Sequence, residues 1–244
     1  MASTTRSFVF GRLAKVAKEF DLKLNPRGKF KVLVLTKREI IIQAFLSGTP
    51  DPIYIKHGNQ KGKVSVNLVK YLQTKDYRKK VRGPHAQVVS KNSLKYGIRL
   101  LSKIPDRKVR KEAEILYRKI EKGIGKAKRL TLMWKPSKKE EKGLLRKEIL
   151  LHEFSHEMLM DDNKIMPKSW KWNEGLVTYI THFVLGKHGR FENKPTLGEN
   201  KMANIYDKYT HKWAKLLKGV KDPKARKRII LKKIRTVGGH VKHI

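Results

Sequence analysis

"HEFSHEMLMDDNKIMPKSWKWNEG", which runs from His152 to Gly175, is the stretch that decides the predicted fold. His152 and His156 are four residues apart, so they share one face of a helix and both imidazoles can reach one ion. Glu153 lies about 100° round the same helix, where its carboxylate can reach a metal-bound water. Glu174 falls on a second helix that can return antiparallel to the first. The spacing therefore predicts a metal site with His152, His156 and Glu174 as ligands.

The composition narrows the choice of metal. The chain has 244 residues and no cysteine, so a transition metal must be held by His, Asp or Glu. A catalytic zinc site uses three such protein ligands and keeps its fourth position for water. Zinc lowers the pKa of that water to about 7, and a carboxylate such as Glu153 accepts the remaining proton. We therefore expect Zn²⁺ as the cofactor and Glu153 as the catalytic base.

A metal-free alternative is also compatible with these residues. The polar motif is flanked by apolar side chains: Ile149, Leu150, Leu151, Phe154, Met158 and Leu159. Burial among them makes an unpaired His or Glu costly unless a metal or a hydrogen-bond partner compensates. A structural hydrogen-bond cluster would satisfy the same requirement.

Periodicity and capping signals predict a helical second half of the chain. Four helices are expected there: 138–160, 170–187, 198–217 and 223–236. Ser137 and Glu140 form a capping box ahead of the first of them. Asp222 and Pro223 fit the N-cap and first position of the last one.

The first half of the chain mixes strand and helix signals. Strands are predicted at 29–37, 39–46 and 52–58, which are rich in β-branched residues, and helices at 92–104 and 106–125. The alternating stretch "RLTLMWK", residues 129–135, is a further strand. Because it precedes the metal-site helix, we expect it at the edge of the sheet, where an extended substrate could pair with it.

"HEFSH" together with "WNEGLVTYITH" resembles the gluzincin metallopeptidases, the group that includes thermolysin and the zinc aminopeptidases. The resemblance covers about residues 106–190. It implies a zincin-like fold with a glutamate helix, zinc bound by His152, His156 and Glu174, and Glu153 as general base and acid. The implied reaction is hydrolysis of a peptide bond in a peptide or protein substrate. "NEG" before an apolar stretch is most similar to the aminopeptidase branch, and the short chain resembles the minigluzincins.

The chain also departs from that group. Thr178 stands where thermolysin-type enzymes carry an acidic residue that orients a zinc histidine, and its hydroxyl is a weaker orienter of His152. The aminopeptidase "GAMEN" signature is missing, which favours an endopeptidase. The family places a Tyr or His near the oxyanion, and the residues available for this role are Tyr206, Tyr209 and His211. At helical spacing each of these is also typical of core or surface positions.

The resemblance to minigluzincins further implies latency through a chain segment in the cleft. The tail "TVGGHVKHI" has a glycine hinge and two potential ligands, His240 and His243. A solvated tail is the alternative. A second alternative is a plug from the N-terminal region, whose potential ligands are His57 and His85.

Fifty-nine basic residues face twenty-one acidic ones, which gives a net charge of +38. Such a charge attracts polyanions, although the sequence contains no zinc-finger, ribonucleoprotein or clear helix-turn-helix motif. The alternative function is therefore a nucleic-acid-associated protein whose zincin site acts in DNA–protein processing or is degenerate.

The overall expectation is an α+β protein in three parts. Residues 1–105 form an N-terminal α/β-rich region, 106–219 a zincin-like metallopeptidase domain, and 220–244 a basic helical segment with its tail. The 39% hydrophobic content suffices for a packed core. The longest apolar run near the N-terminus is short, and no run approaches the roughly 20 residues that span a bilayer, so we expect a cytoplasmic protein without a membrane span. Residues 7–20 fit an ordinary packed amphipathic helix.

Overall fold

The computed structural model of the protein describes residues 3–25, 31–46, 86–125, 129–134, 144–187, 201–238 and 240–241. The chain divides into two compact units, one of residues 1–27 with 143–244 and one of residues 28–142. This division differs from the expected boundaries after residues 105 and 219. The N-terminal helix packs against the helices that carry the metal-site motif and therefore belongs to their unit. The helix and the strand between residues 107 and 134 belong to the unit that contains the three-stranded sheet.

The unit of residues 28–142, called the sheet unit, holds three strands and three helices among its described residues. In chain order these are β1 (Val32–Leu35), α2 (Lys37–Leu46), β2 (Ala86–Ser90), α3 (Lys91–Leu101), α4 (Arg107–Ile124) and β3 (Arg129–Trp134). Asp106 caps α4, as its side chain accepts a hydrogen bond from the backbone of Val109 at 2.9 Å. The strands at 32–35 and 129–134 and the two helices α3 and α4 confirm the sequence predictions. Residues 52–58 lie outside the described residues.

β3 is the central strand of the sheet, which corrects the prediction that it forms an edge. The strand order is β1-β3-β2, with β1 parallel and β2 antiparallel to β3. Thr131 pairs with Val32 on one side and with Val88 on the other. Since the backbone groups of β3 are already committed to two neighbours, a substrate cannot add to this strand.

α2 corrects a second prediction, because residues 39–46 were expected to be a strand. The helix begins with a capping box that the β-branched run Ile40–Ile42 obscures in the sequence. The backbone N–H of Thr36 donates to Oε2 of Glu39 at 2.7 Å, and the N–H of Glu39 donates to Oγ1 of Thr36 at 3.2 Å. Ile40, Ile41 and Ile42 are all buried. Because Ile40, Ile41, Ile42 and Gln43 are buried in succession, this stretch shows no alternation of polar and apolar residues from which a helical period could be read.

The other unit, called the helical unit, contains the metal-site motif. Its described elements are α1 (Ser3–Glu19), α5 (Leu144–Glu157), β4 (Ile165–Met166), α6 (Trp170–Val184), α7 (Lys201–Leu217), α8 (Pro223–Thr236) and β5 (His240–Val241). α5 continues into a π-helical turn, Met158–Asp162. The described parts of all four helices predicted for this half are confirmed, including the Asp222 cap and Pro223 at the start of α8. Residues 137–143 and 198–200 lie outside the described residues.

α1 packs behind the motif and confirms the expectation of a packed amphipathic helix. It contacts α5 and α6 with a buried face of Val9, Leu13, Val16 and Phe20. The buried amide of Asn163 binds the chain that follows α1 through two hydrogen bonds to Lys23. Oδ1 of Asn163 accepts from the N–H of Lys23 at 2.7 Å, and Nδ2 of Asn163 donates to the carbonyl of Lys23 at 2.9 Å. α1 is therefore part of the scaffold that positions α5.

The molecule is mostly helical with a small mixed sheet, which agrees with the α+β class. Among the described residues, none of the helices combines the length and apolar character that a bilayer crossing requires.

Candidate metal centre

Two helices of the helical unit bring three predicted ligands to one point. His152 and His156 project from α5, and Glu174 projects from the second turn of α6. Nε2 of His152 lies 3.2 Å from Oε2 of Glu174 and 3.2 Å from Nε2 of His156. Nε2 of His156 lies 3.4 Å from the same carboxylate oxygen. Across the described residues, these three make up the group of His, Asp and Glu side chains with the spacing of metal ligands. We call them the ligand triad.

The distances within the triad fit a small tetrahedral cation. Zinc bonds of about 2.0–2.1 Å at tetrahedral angles separate neighbouring donor atoms by roughly 3.3 Å. The three observed separations are 3.2, 3.2 and 3.4 Å. Hydrogen bonds alone satisfy this arrangement poorly, because Nε2 of His152 faces two partners and a neutral imidazole carries at most one proton there. One cation at the centre would satisfy all three lone pairs at once.

The two histidines keep the carboxylate of the triad ionised in spite of its burial. Burial alone would raise the pKa of Glu174, but electrostatic attraction from His156 and hydrogen bonds from both histidines outweigh it. The pKa of Glu174 therefore lies well below its usual range, so the carboxylate is an anion at neutral pH. The side chain of His156 is only 7% exposed, whereas those of His152 and Glu174 are 20% and 22% exposed. The triad thus has one face that reaches solvent, where a water or a substrate could enter.

Asn173 supports the triad from behind, a role that the sequence analysis missed. Nδ2 of Asn173 lies 3.3 Å from Nδ1 of His156, and Oδ1 of Asn173 is buried without a hydrogen-bond partner. An imidazole that binds a metal through Nε2 carries its proton on Nδ1, which then requires an acceptor. Rotation of the amide by 180° would place Oδ1 against that proton as its acceptor. The sequence feature that could have identified Asn173 is its position directly before Glu174.

Gly175, the residue after Glu174, allows α7 to approach α6 closely. A Cβ at Gly175 would come within 2.6 Å of the Cβ of Tyr209 and 2.7 Å of its carbonyl carbon. Beside this contact, Trp172 packs edge-on against Tyr209 and Trp213 with ring centroids 5.2 and 5.4 Å apart. Nε1 of Trp213 donates to the carbonyl of Trp172 at 3.0 Å. The helix that carries Glu174 is therefore fixed by a close backbone crossing and an aromatic cluster.

The other predicted site residues lie on α5 and α7. Glu153 is half-buried on α5 directly after His152, and His211 is half-buried on α7. Tyr206 packs edge-on against Trp170, with centroids 6.4 Å apart. Among the described residues, Tyr209 makes no hydrogen bond to the ligand triad, since its ring faces Trp172 and the ammonium of Lys212. The roles predicted for Glu153, Tyr206, Tyr209 and His211 stay predictions.

Two expectations about the surroundings of the triad are resolved in part. Within the described ranges, no hydrogen bond joins Thr178 to His152, so Thr178 does not orient that histidine as placed here. The backbone of the tail is paired as a strand, since β5 lies antiparallel to β4 with His240 opposite Met166. His57, His85 and His243 lie outside the described residues.

Comparison with models of known protein families, with curated proteins and with solved structures finds no match. The geometry of the ligand triad is therefore the observation on which a functional assignment depends.

The first prediction concerns metal stoichiometry. We expect the purified chain to bind about one zinc ion, because the triad offers one tetrahedral site. His152→Ala, His156→Ala and Glu174→Ala should each lower the zinc content measured by elemental analysis, whereas His211→Ala, a histidine outside the triad, should keep it. Full zinc retention in all three triad variants would contradict the site, and a wild-type chain that binds no zinc would favour the hydrogen-bond cluster.

The second prediction tests the role of Asn173. Asn173→Ala removes the acceptor for Nδ1 of His156 and should weaken zinc affinity about 10–100-fold, the usual cost of losing such a partner. Asn173→Asp keeps an acceptor oxygen and should retain most of the affinity. Competition with a chelator of known affinity measures both variants. Equal weakening by Ala and Asp would mean that Asn173 acts through packing and not as a hydrogen-bond acceptor.

Proposed function

We propose that the chain is a zinc-dependent metallopeptidase of the gluzincin type, with a zincin-like helical unit in which α5 is the zinc helix and α6 the glutamate helix. The observation that carries the proposal is the convergence of His152, His156 and Glu174 at tetrahedral spacing. The histidines come from a His-Glu-x-x-His motif on one helix, and the glutamate from a second helix. The solvent-reaching face of the triad supports a catalytic site, since a structural zinc site is closed by a fourth protein ligand.

The residues of the chain divide the work of peptide hydrolysis between them. Bound zinc would polarise the scissile carbonyl and lower the pKa of a water molecule. His152, His156 and Glu174 hold the ion, and Asn173 fixes the ring of His156. The Glu153 carboxylate accepts a proton from the attacking water while the oxygen of that water bonds to the carbonyl carbon. Glu153 then delivers that proton to the amide nitrogen as the carbon–nitrogen bond breaks.

The substrate is a peptide or protein, and endopeptidase action is the expected mode. A developing oxyanion needs a hydrogen-bond donor beside the metal, and the residues proposed for it are Tyr206, Tyr209 and His211. β3 is excluded as the strand that aligns the substrate, because it is paired on both sides.

A second function is supported by the charge of the chain. Fifty-nine basic residues against twenty-one acidic ones favour a polyanionic partner, so a nucleic-acid-associated protein that uses the site in DNA–protein processing, or carries it in degenerate form, is the alternative. Cleavage of casein without added DNA favours the plain peptidase. Cleavage that requires DNA, or zinc binding without cleavage, favours the alternative.

The third prediction separates chemistry from metal binding. Glu153→Gln should keep the zinc content of the wild type and lower peptidase turnover about 10²–10⁴-fold, because the amide cannot accept a proton. Glu148→Gln on the same helix is the matched control and should retain activity, since the new amide can still bond to Lys187. Peptidase assays are run on preparations of equal zinc content. Wild-type turnover in Glu153→Gln would remove Glu153 from the mechanism.

The fourth prediction concerns latency, which belongs to the proposal because an active peptidase in the cytoplasm must be restrained. Truncation after Gly238 removes β5 and the residues beyond it. Since the backbone of β5 is paired with β4, we expect turnover per bound zinc to stay unchanged while thermal stability falls. A clear rise in turnover at constant zinc content would instead identify the tail as the plug.

A further inference from the structure

α8 carries an unusual concentration of positive charge for a helix packed in a core. Seven of its 14 residues are Lys or Arg, and none is Asp or Glu. Like charges one turn apart destabilise a helix. The arrangement therefore calls for a compensating interaction, and the structure separates the cations of α8 into two groups.

The first group faces the rest of the helical unit and is already compensated. Arg226 is buried and pairs with the Glu19 carboxylate at 2.7 Å. Lys227 pairs with Asp21 at 3.2 Å, and the ammonium of Lys233 lies 4.6 Å from the ring centroid of Trp172. These three cations hold α8 against α1 and α6.

The second group points to solvent and is what we call the basic stripe: Lys224, Arg228, Lys232 and Arg235. Their spacing of four, four and three residues places them on one face of α8, in a row about 16 Å long. Arg228 lies 4.0 Å from Asp222, an exposed pair in which both side chains are more than half accessible. Among the described residues, Lys224, Lys232 and Arg235 have no acidic partner. A regular row of exposed cations matches an extended polyanion better than a single anion.

The residues around the basic stripe decide which polyanion fits. A membrane-surface helix needs exposed apolar side chains to insert, but the large hydrophobic residues exposed in the described chain all lie on other elements. Binding of single-stranded nucleic acid uses aromatic platforms, and α8 contains no aromatic residue. A double-helical phosphate backbone requires only regularly placed cations, and a single α-helix is narrow enough to lie against or within a groove of the duplex.

We propose that the basic stripe binds the phosphate backbone of double-helical nucleic acid without sequence preference. This interface is separate from the ligand triad and does not depend on peptidase activity. Its binding should be dominated by release of counterions, which makes the affinity steeply dependent on salt.

The fifth prediction tests the basic stripe in the full-length protein. The variant Lys224→Gln/Arg228→Gln/Lys232→Gln/Arg235→Gln removes four cations, and Gln keeps a helix propensity close to that of Lys and Arg. The matched control removes four exposed cations of the sheet unit, Lys95→Gln/Arg99→Gln/Lys108→Gln/Lys111→Gln, and has the same net charge. Fluorescence anisotropy with a 20-base-pair DNA duplex of arbitrary sequence measures affinity across a series of salt concentrations.

The expected result is a slope of log affinity against log salt that is shallower by about three to four in the stripe variant, with affinity at least about tenfold lower near 0.1 M salt. The control should change the slope by less than about one unit. Equal losses in both variants would overturn the proposal, because they would reflect net charge alone. Tighter binding to a single strand of the same sequence, or to phosphatidylserine vesicles, would overturn it in favour of another partner. A duplex RNA arm shows which duplex is preferred, and zinc content and thermal melting confirm that the variants are folded.

Discussion

Three polar side-chain atoms that meet at one point are the constraint on which the helical unit depends. The donor atoms of His152, His156 and Glu174 lie within 3.4 Å of one another, and hydrogen bonds satisfy them only in part. Packing of the surrounding helices must therefore hold these three side chains together, because their mutual hydrogen bonds do not. α1 packs behind α5, and Gly175 lets α7 press against α6 where a methyl group would collide with Tyr209. The site is thus positioned by packed helices, and such a site is held more tightly than one built on loops.

Local signals in the sequence predicted the elements that carry this site. Side chains that cap a helix act within a few residues, so Asp222 marked the start of α8 correctly. The spacing of His152 and His156 predicted a shared helical face for the same reason. The prediction for α2 was wrong because a run of β-branched residues outweighed the capping box of Thr36 and Glu39. The structure shows this capping box to be formed.

Features that depend on distant contacts could not be predicted from local signals. The central place of β3 requires β1 and β2, which precede it by roughly 100 and 40 residues in the chain. The membership of α1 in the helical unit depends in the same way on contacts with α5 and α6. The position of Asn173 beside Nδ1 of His156 depends on how α5 and α6 cross, although the residue stands next to the ligand Glu174 in the sequence. Spacing predicted which residues could meet, and packing decided which of them do.

The exposure of individual side chains decides which positive charges of the chain can bind an anion. A net charge of +38 states that the molecule attracts anions, but it does not distinguish cations that hold the fold from cations that face solvent. In α8 the two kinds occupy different faces of one helix. Arg226 and Lys233 contact Glu19 and Trp172, and Trp172 lies two residues before Glu174. A polyanion on the outer face of α8 would contact side chains that hold no part of the metal site, whereas neutralising the inner cations would loosen the helix that presents Glu174. The two groups of cations therefore carry different consequences although they share one helix.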